Sequence, residues 1–314
     1  MREITVVIPT RDTEGLTLRC LASLGAARDS IRDVVVVDDG GTDGTAAAIA
    51  RLDPAIVVLR NATSEGFTRA ANRGAAARPE LELLLFLNSD TEVAPDALGA
   101  LVRAFEADPR LGIAGASLHY PDGSPQWSAG PIPSLAWLFA LASGAGAFLH
   151  RLPGYRRARR RRSSPAAVPV GWVSGAAMAV RAEVWKALGP FDERFFLYAQ
   201  DLDLCERARA NGWTVAVLSS ARVLHHHGAT ISQGGAAPRQ DPRLLWRDLL
   251  RWADKTGGGR FAARAAAALR FGARSRLLGR ALAGPFLSSA RRKALADESL
   301  GYRRALFELG EPID

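Results

Sequence analysis

Residues 83–90 read LLLFLNSD, five apolar side chains in a row followed by an amide, a hydroxyl and a carboxylate. A short apolar run bounded by polar residues is typical of a strand buried on both faces of a parallel sheet. In open α/β sheets, ligands bind just beyond the carboxyl ends of such strands. Asn88 and Asp90 therefore lie where a ligand is expected, and their oxygens are of the kind that Mg2+ or Mn2+ prefers. The alternative is that Asp90 only caps a helix beginning near Pro95.

Similar apolar runs precede this one and alternate with helical patterns. We predict strands at 4–8, 34–37, 56–59 and 83–87. We predict helices at 14–24, 64–77 and 95–107, and a further helix that has its cap at residue 42 or 43 and ends at residue 52. Pro95 suits the first turn of the last helix. Alternating strands and helices predict a parallel sheet with right-handed crossovers. The expected fold class is α/β, with an architecture of the nucleotide-binding type.

The loop after the first strand disfavours two common classes of nucleotide-binding enzyme. Residues 9–15 read PTRDTEG, whereas a dinucleotide dehydrogenase needs G-x-G-x-x-G there, and the chain contains no G-x-x-x-x-G-K-[ST] sequence. The sequence therefore favours a site built from carboxylates. Asp38 follows the second strand and can accept a hydrogen bond from a base N–H or a ribose hydroxyl. For the neighbouring Asp39 we favour a role in capping a turn.

A second group of candidate residues lies between positions 171 and 230. Residues 171–180 read GWVSGAAMAV, a glycine-bounded turn that leads into a strand. Asp201 and Asp203 fall in the first turn of a predicted helix that ends at Gly212, where the helix dipole favours ionised carboxylates. Such a carboxylate is either a general base or simple helix-terminal charge. Residues 225–227 are three histidines, either metal ligands or structural, and at most two of them share one side of a strand.

Charge and composition limit the partners that the chain can have. The net charge is +9, with a basic run YRRARRRR at 155–162, and the two cysteines form no metal-binding spacing. The basic run lacks interleaved aromatic residues, which disfavours nucleic acid as a partner. It can meet an anionic membrane surface or be a solvated, mobile loop. Because no basic-then-apolar leader opens the chain, we expect a cytoplasmic protein.

No stretch reaches the roughly 18 continuous apolar residues of a membrane-spanning helix. The segment 135–149 is shorter and contains glycine, so it is either a buried helix or a patch in a bilayer interface. Residues 244–252 and 261–282 combine arginine with apolar residues, a pattern that suits an anionic membrane surface, a partner protein or the flank of the catalytic domain.

Six motifs occur in the order in which one enzyme family carries them. They are VVIPT at 6–10, VVDDGGTDGT at 36–45, GFTRAANRG at 66–74, LNSDT at 87–91, Gly175 with Ala176, and FFLYAQDLDLC at 195–205. On these motifs, residues 3–230 resemble family 2 glycosyltransferases of the GT-A fold, in particular the rhamnosyltransferase-like branch. The resemblance implies a mostly parallel sheet flanked by helices in a domain at 1–235, with a variable, partly mobile insertion at 118–170. A helical extension is expected at 236–314.

The resemblance also implies a reaction and a set of site residues. The enzyme would move a sugar from a nucleotide diphosphate donor to an acceptor hydroxyl with inversion, with Asp201 as the catalytic base. Asp90 and His225 would bind Mn2+ or Mg2+. The nucleotide-sugar would contact Pro9, Thr10, Arg11, Asp38, Gly66, Asn72, Asn88, Ser89 and Asp90. Trp172, Gly175 and Gln200 would lie on the acceptor side.

Two positions depart from the pattern of the family. Many members have Asp where this chain has Asn88, and the family usually has Glu where it has Gln200. We expect a glycan or lipid-linked glycan as acceptor, a donor such as dTDP-rhamnose, a role in polysaccharide or cell-wall synthesis, and a peripheral position at the inner face of the cell membrane. The alternatives are a non-catalytic GT-A scaffold recruited to the membrane and a basic nucleic-acid-binding protein.

Overall fold

The computed structural model describes residues 3–80, 82–145, 167–226, 242–283 and 288–310. The basic run 155–162, His227 and the part of the apolar segment from 146 onward lie outside the described residues. The chain forms two compact units, one of Met1–Ile132 with Arg161–Arg239 and one of Pro133–Arg160 with Gln240–Asp314. The segment 118–170, which we predicted as one insertion, is therefore divided between the units.

A mixed sheet forms the centre of the first unit. Its strands are β1 (Ile4–Thr10), β2 (Ile31–Asp39), β3 (Val57–Asn61), β4 (Leu83–Leu87), β5 (Thr91–Val93), β6 (Leu111–His119), β8 (Val168–Pro169), β10 (Ala177–Arg181) and β11 (Thr214–His225). Within the described residues the order is β3-β2-β1-β4-β10-β6-β11-β5, and β8 pairs with β11. Two further strands, β7 (Ala129–Gly130) and β9 (Trp172–Val173), pair with each other.

The first four strands form the parallel part of the sheet that the sequence predicts. Strand β1 pairs in parallel with β2 and β4, and β2 pairs in parallel with β3. Strand β10 lies antiparallel between β4 and β6, so the whole sheet is mixed. The predicted strand at 83–87 is confirmed to the residue, whereas β1 continues past Pro9 to Thr10.

The apolar run of β4 is buried on both faces, as its sequence predicts. All five of its side chains are at most 1% exposed. Leu83, Leu85 and Leu87 belong to the core cluster on one side of the sheet, together with Phe105. Leu84 and Phe86 belong to the cluster on the other side. The strand that carries the candidate metal residues at its end is therefore fixed in the interior.

The helices in chain order are α1 (Glu14–Leu24), α2 (Thr45–Leu52), α3 (Phe67–Ala76), α4 (Ala97–Ala107), α5 (Leu135–Ser143), α6 (Ala182–Leu188), α7 (Gln200–Ala210), α8 (Pro242–Ala283) and α9 (Ser289–Glu308). The prediction of α1 is confirmed at both ends, and the first-turn positions of Asp201 and Asp203 in α7 are confirmed. Gly212, just beyond α7, has a φ of +83°, which suits the predicted glycine stop.

Two helix starts differ from their predictions. Helix α3 begins at Phe67 rather than at residue 64, because the backbone before it turns back to bind Asp39. Helix α4 has Asp96 as its N-cap, so Pro95 precedes the helix instead of lying in its first turn. The alternative role of Asp90, in capping this helix, is excluded because β5 lies between Asp90 and α4.

The candidate residues gather at one edge of this sheet. Thr10 of β1 pairs in register with Asp38 of β2, so both strands end together. Because β10 runs antiparallel to β4, the loop before β10 reaches the same edge, and the Asn88 N–H donates to the Ala176 carbonyl at 2.9 Å. Strand β11 ends at His225, which pairs with Thr91 of β5 just after Asp90.

The second unit contains helices α5, α8 and α9. Helix α8 is broken at Gly258, whose φ is +71°. The ring of Phe139 on α5 stacks on Phe271 of α8 at 5.8 Å between ring centroids. Glu298 of α9 binds Arg276 at 2.6 Å and Arg280 at 2.7 Å, which are both on α8. These contacts join the three helices.

Helix α8 presents large apolar side chains to solvent. Phe271, Leu278 and Leu282 are 66%, 62% and 68% exposed and lie on one face of the helix at spacings of seven and four residues. In the part of the chain that is described, no helix is both long enough and apolar enough to span a membrane.

Candidate functional site

The loops after β1 and β2 are hydrogen-bonded to each other. Asp12 Oδ1 accepts from the Thr42 N–H at 2.6 Å and from the Thr42 hydroxyl at 3.1 Å. In return, Asp43 Oδ2 accepts from the Glu14 N–H at 2.9 Å. Asp12 adopts a left-handed φ of +49°, which is uncommon for a residue other than glycine. The two loops that border the predicted nucleotide site therefore form one connected rim.

Asp38 is fixed at the end of β2 with both carboxylate oxygens engaged. It is 1% exposed, and its Oδ1 accepts from the Gly41 N–H at 2.9 Å. Its Oδ2 accepts from Arg60 Nε at 3.0 Å. A Cβ on Gly41 would lie 2.4 Å from Asp38 Oδ1, so a larger residue there would displace the carboxylate. Each carboxylate oxygen has a second lone pair, so Asp38 keeps acceptor capacity for a ligand.

The neighbouring Asp39 has a structural role that agrees with the capping interpretation. It is buried and accepts four hydrogen bonds, from Asn61 Nδ2 at 2.6 Å, Ser64 Oγ at 2.8 Å, and the backbone N–H groups of Glu65 and Gly66 at 2.9 Å each. Gly66 has a φ of +93°, which glycine adopts without steric cost. One carboxylate thus holds the loop that leads into α3.

We expect Asp39→Asn to lower the free energy of unfolding by about 2–4 kcal/mol, because a neutral amide loses the charge of these bonds and turns a donor toward N–H groups. Urea unfolding monitored by circular dichroism measures the change. Asp122→Asn is the control, since Asp122 is exposed and accepts from the Ser124 N–H at 2.8 Å in a local turn. The control should change stability by less than about 0.5 kcal/mol, and equal losses in both variants would contradict the role of Asp39.

Two of the predicted donor-binding hydroxyls are used in internal contacts. Thr10 and Ser89 are each 3% exposed. The Thr10 hydroxyl bonds to those of Thr13 at 2.9 Å and Thr17 at 2.7 Å, and Thr13 bonds to Ser89 at 3.2 Å. These hydroxyls connect β1, α1 and the end of β4 beneath the rim. Arg11, by contrast, is exposed on the rim beside Asp12.

Asp90 and His225 face each other at the ends of β4 and β11. Both side chains are buried, and His225 Nε2 lies 3.3 Å from Asp90 Oδ1. Asn88 Nδ2 lies 3.4 Å from the same ring nitrogen. The other ring nitrogen, Nδ1, lies 2.8 Å from Gln126 Oε1. The structure therefore brings together the two residues that the sequence predicts as metal ligands.

Asp201 lies at the N-terminus of α7 with both oxygens bound by backbone N–H groups. Its Oδ2 accepts from Gly175 and its Oδ1 from Leu202, each at 2.8 Å. Burial raises the pKa of the Asp201 carboxyl above the ordinary aspartate range, although these two hydrogen bonds act in the opposite direction. Gly175 precedes Ala176, which is hydrogen-bonded to Asn88, so contacts connect Asp201 with the Asp90–His225 pair.

The sequence matches the family described as Glycosyl transferase family 2 over residues 5–182. The chain belongs to this family. It is 33% identical over 237 residues to an N-acetylglucosaminyl-diphospho-decaprenol L-rhamnosyltransferase of Mycobacterium tuberculosis, covering 72% of this chain and 77% of that protein. The O-antigen biosynthesis protein RfbC of Myxococcus xanthus is 30% identical over 268 residues, which are 81% of this chain and 20% of that protein.

The fold is shared with a solved glycosyltransferase. A mannosyltransferase from Pyrobaculum calidifontis, solved in complex with GDP-Man and Mn2+, has a TM-score of 0.58 and 18% identity over 98% of this chain and 84% of that one. At this identity the likeness shows the fold alone. The predicted GT-A fold and rhamnosyltransferase-like family are thus confirmed, and the chain is a nucleotide-sugar glycosyltransferase.

Two other predicted residues of this glycosyltransferase make structural contacts. Asn72 Nδ2 donates to the Phe191 carbonyl at 2.9 Å, and its Oδ1 accepts from the Phe191 N–H at 3.0 Å. Trp172 packs edge-on against the ring of Trp127 at 5.3 Å between centroids, and Trp127 is 46% exposed. On the predicted acceptor side the structure therefore places an aromatic pair with one ring open to solvent.

The sequence of this glycosyltransferase did not predict Arg60, Gln126 or Trp127 as site residues. Each lies outside the six motifs, and Gln126 meets His225 across 99 positions of sequence. Such a pairing leaves no local pattern, because it depends on how β6 and β11 align. Arg60 had one available signal, since it is the charged residue next to the end of the third predicted strand.

Proposed function

We propose that this glycosyltransferase inverts the anomeric centre of its donor sugar in a reaction that depends on a divalent cation and a lipid-linked glycan acceptor. The observation that carries the proposal is the continuous set of contacts at one sheet edge. It runs from Asp201 through the Gly175–Ala176 loop to Asn88 and the Asp90–His225 pair. A candidate base and a candidate cation site are therefore parts of one site.

Asp90 and His225 would hold Mn2+ or Mg2+ with one carboxylate oxygen and one imidazole nitrogen, a donor set that suits Mn2+. Among the described residues, no three His, Cys, Asp or Glu side chains cluster closely enough to hold a metal by themselves. Further ligands would therefore come from the donor diphosphate or water. A bound cation would offset the charge that develops on the departing diphosphate. The mannosyltransferase of the same fold was solved with GDP-Man and Mn2+, which supports a divalent cation in the reaction but does not identify its ligands.

Asp201 would act as the general base. The N–H groups of Gly175 and Leu202 fix the orientation of its carboxylate, and the raised pKa of the carboxyl brings its basicity closer to neutral pH. It would take the proton of the acceptor hydroxyl as that oxygen attacks the anomeric carbon. Attack on the face opposite the diphosphate inverts the configuration. Trp172, Gly175 and Gln200 would border the acceptor.

The donor would lie along the rim between the loops after β1, β2 and β4. Asp38 would accept from the nucleotide, with Pro9, Thr10 and Arg11 beside it. Gly66 and Asn72 would shape the loop and helix next to the nucleotide, and Asn88, Ser89 and Asp90 would lie by the diphosphate. The name of the M. tuberculosis relative supports rhamnose as the sugar and a polyprenyl-diphosphate-linked glycan as the acceptor in cell-wall polysaccharide synthesis.

Peripheral contact with the inner face of the cell membrane would bring the enzyme to such an acceptor. The exposed side chains of Phe271, Leu278 and Leu282 support this contact, since apolar residues next to arginines suit an anionic bilayer interface. The residues from 1 to 235 would act as the catalytic domain, and the helical extension from 236 would take part in this attachment together with the 135–162 segment.

A thermal-shift screen of dTDP-, UDP- and GDP-sugars with and without Mn2+ tests the proposal. At a ligand concentration about 100 times Kd, binding adds about 2.7 kcal/mol to the free energy of unfolding. We expect a higher Tm with one nucleotide class, a larger rise when Mn2+ is present, and transfer to a lipid-linked acceptor with inverted anomeric configuration by NMR. A Mn2+-independent shift would contradict the proposed metal dependence, and a product with retained configuration would contradict the proposed base.

One observation favours a second candidate, a non-catalytic scaffold of the same fold. Gln200 stands where the family usually has Glu, and its buried Oε1 has no hydrogen-bond partner among the described residues. A scaffold would bind the donor and show the same thermal shift without turnover. Gln200→Glu distinguishes the two candidates, since it should create activity in a scaffold and change the existing rate or acceptor preference in an enzyme.

A further inference from the structure

The side-chain amide of Gln126 binds the ring and the backbone of the same histidine. Its Nε2 donates to the His225 carbonyl at 2.8 Å, and its Oε1 lies 2.8 Å from His225 Nδ1. Gln126 is itself held in place, because its backbone N–H donates to the Leu118 carbonyl of β6 at 2.8 Å. The amide is therefore fixed against both the ring and the end of β11.

These two contacts determine which end of the amide faces which group. A carbonyl oxygen only accepts hydrogen bonds, so the NH2 end of Gln126 must face the His225 carbonyl. The oxygen end then faces Nδ1 of the ring, and a hydrogen bond at that distance needs a hydrogen on Nδ1. A neutral ring with its hydrogen on Nδ1 carries a lone pair on Nε2. Gln126 thus selects one tautomer of His225.

Nε2, which carries the lone pair in this tautomer, lies 3.3 Å from Asp90 Oδ1 and 3.4 Å from Asn88 Nδ2. The Asn88 amide can donate to Nε2, but the lone pair and the carboxylate still repel each other, and a cation beside both atoms would offset that repulsion. We propose that Gln126 is a positioning residue that holds His225 as the Nδ1–H tautomer and so keeps Nε2 available for a cation shared with Asp90. This inference rests on the proposed cation site, but the tautomer itself can be measured without metal.

The adjacent His226 provides a contrast within the same strand end. Its Nε2 lies 2.8 Å from Glu92 Oε1, a distance at which Nε2 carries the hydrogen and donates to the carboxylate. His225 therefore carries its hydrogen on Nδ1 and His226 carries its hydrogen on Nε2, although each ring faces a carboxylate. The difference arises because Gln126 Oε1 accepts from Nδ1 of His225, whereas Glu92 Oε1 accepts from Nε2 of His226.

Long-range proton–nitrogen correlation spectra of the metal-free, histidine-labelled full chain test the inference. In the neutral rings we expect His225 as the Nδ1–H form and His226 as the Nε2–H form. In Gln126→Leu, His225 should shift toward the Nε2–H form that donates to Asp90, and His226 should not change. A wild-type His225 with its hydrogen on Nε2, or an unchanged His225 in the variant, would overturn the inference.

Mn2+ binding measured by electron paramagnetic resonance gives the second readout. Partners that orient a metal-binding histidine typically change metal affinity about 10–100-fold, so Gln126→Leu should weaken Mn2+ binding by that factor. Gln126→Glu keeps an oxygen acceptor for Nδ1–H and should restore much of the affinity and the tautomer. Glu92→Gln is the matched control and should leave Mn2+ affinity unchanged.

The outcomes separate this inference from the proposed function. If the wild type shows the Nδ1–H tautomer but binds no Mn2+, the metal assignment fails while the tautomer control by Gln126 stands. If Mn2+ binds equally well to wild type and Gln126→Leu, Gln126 has only a structural role. The wild-type spectrum alone still tests the tautomer should Gln126→Leu fail to fold.

Discussion

Asp201→Asn is expected to reduce the kcat of sugar transfer on the order of 10²–10⁴-fold and to leave donor affinity close to wild type. The proposed base must take a proton from the acceptor hydroxyl, which a side-chain amide cannot do. The amide keeps one oxygen that can accept from the N–H of Gly175 or Leu202, so the loop at the site should persist. Steady-state kinetics measure the loss, and calorimetric titration of the donor measures the affinity.

Asp203→Asn is the matched control for this variant. Asp203 lies in the same turn of α7, and its carboxylate pairs with Arg207 Nε at 2.9 Å. Removing that charge should lower stability and leave kcat within a few-fold of wild type. Equal losses of kcat in the two variants would show that Asp201 acts through the structure of α7. Transfer by Asp201→Asn at near the wild-type rate would exclude it as the base.

The pH dependence of sugar transfer follows from the burial of the Asp201 carboxyl. Only the ionised form of Asp201 can accept a proton, so kcat/KM should fall as pH drops through its pKa. An ordinary aspartate has a pKa of about 3.9. Because burial raises the pKa of Asp201, the fall in kcat/KM should occur at a higher pH than that. The folded state holds this proton more tightly than the unfolded chain does. The contribution of the protonated Asp201 carboxyl to the free energy of unfolding is therefore present at low pH, and it is lost as pH rises through the raised pKa.

Local sequence patterns predicted the parallel part of the fold because each of its elements carries its own signal. Strand β4 is an unbroken apolar run, and α1 has leucines on one face, so their limits could be predicted to the residue. The antiparallel direction of β10 has no such signal. Its direction depends on the long connections around it and on the space that β4 and β6 leave between them.

The same distinction explains which site residues could be predicted. Asp38, Asp90 and Asp201 each follow a strand or begin a helix within a recognisable motif, so their sequence neighbours indicate their position. Gln126 belongs to no motif, and its importance arises only when β6 and β11 lie side by side. Residues that orient other residues depend on tertiary contacts, and a single sequence does not encode those in any local pattern.

Asp90→Asn is expected to lower kcat/KM on the order of 10²–10³-fold. The reason is that the proposed cation would stabilise the charge on the departing diphosphate by several kcal/mol, and the variant would bind that cation more weakly. The substitution keeps the size of the side chain and removes its charge. The β11 end should stay in place, since the His226 N–H donates to the backbone carbonyl of Asp90 at 2.9 Å. Kinetics at a series of Mn2+ concentrations measure the effect.

The dependence on Mn2+ concentration separates a cation ligand from a residue that merely supports the strand end. If Asp90 binds the cation, Asp90→Asn should need a higher Mn2+ concentration for half-maximal activity, and part of its lost kcat/KM should return when Mn2+ is raised. If Asp90 only supports His225, the loss should be independent of Mn2+, and the Tm of the metal-free variant should fall below that of the wild type. On the proposed assignment both Asp90 and His225 would hold the cation, since His225 Nε2 and Asp90 Oδ1 lie 3.3 Å apart. His225→Ala should therefore reproduce the shifted Mn2+ dependence, and combining it with Asp90→Asn should add little further loss.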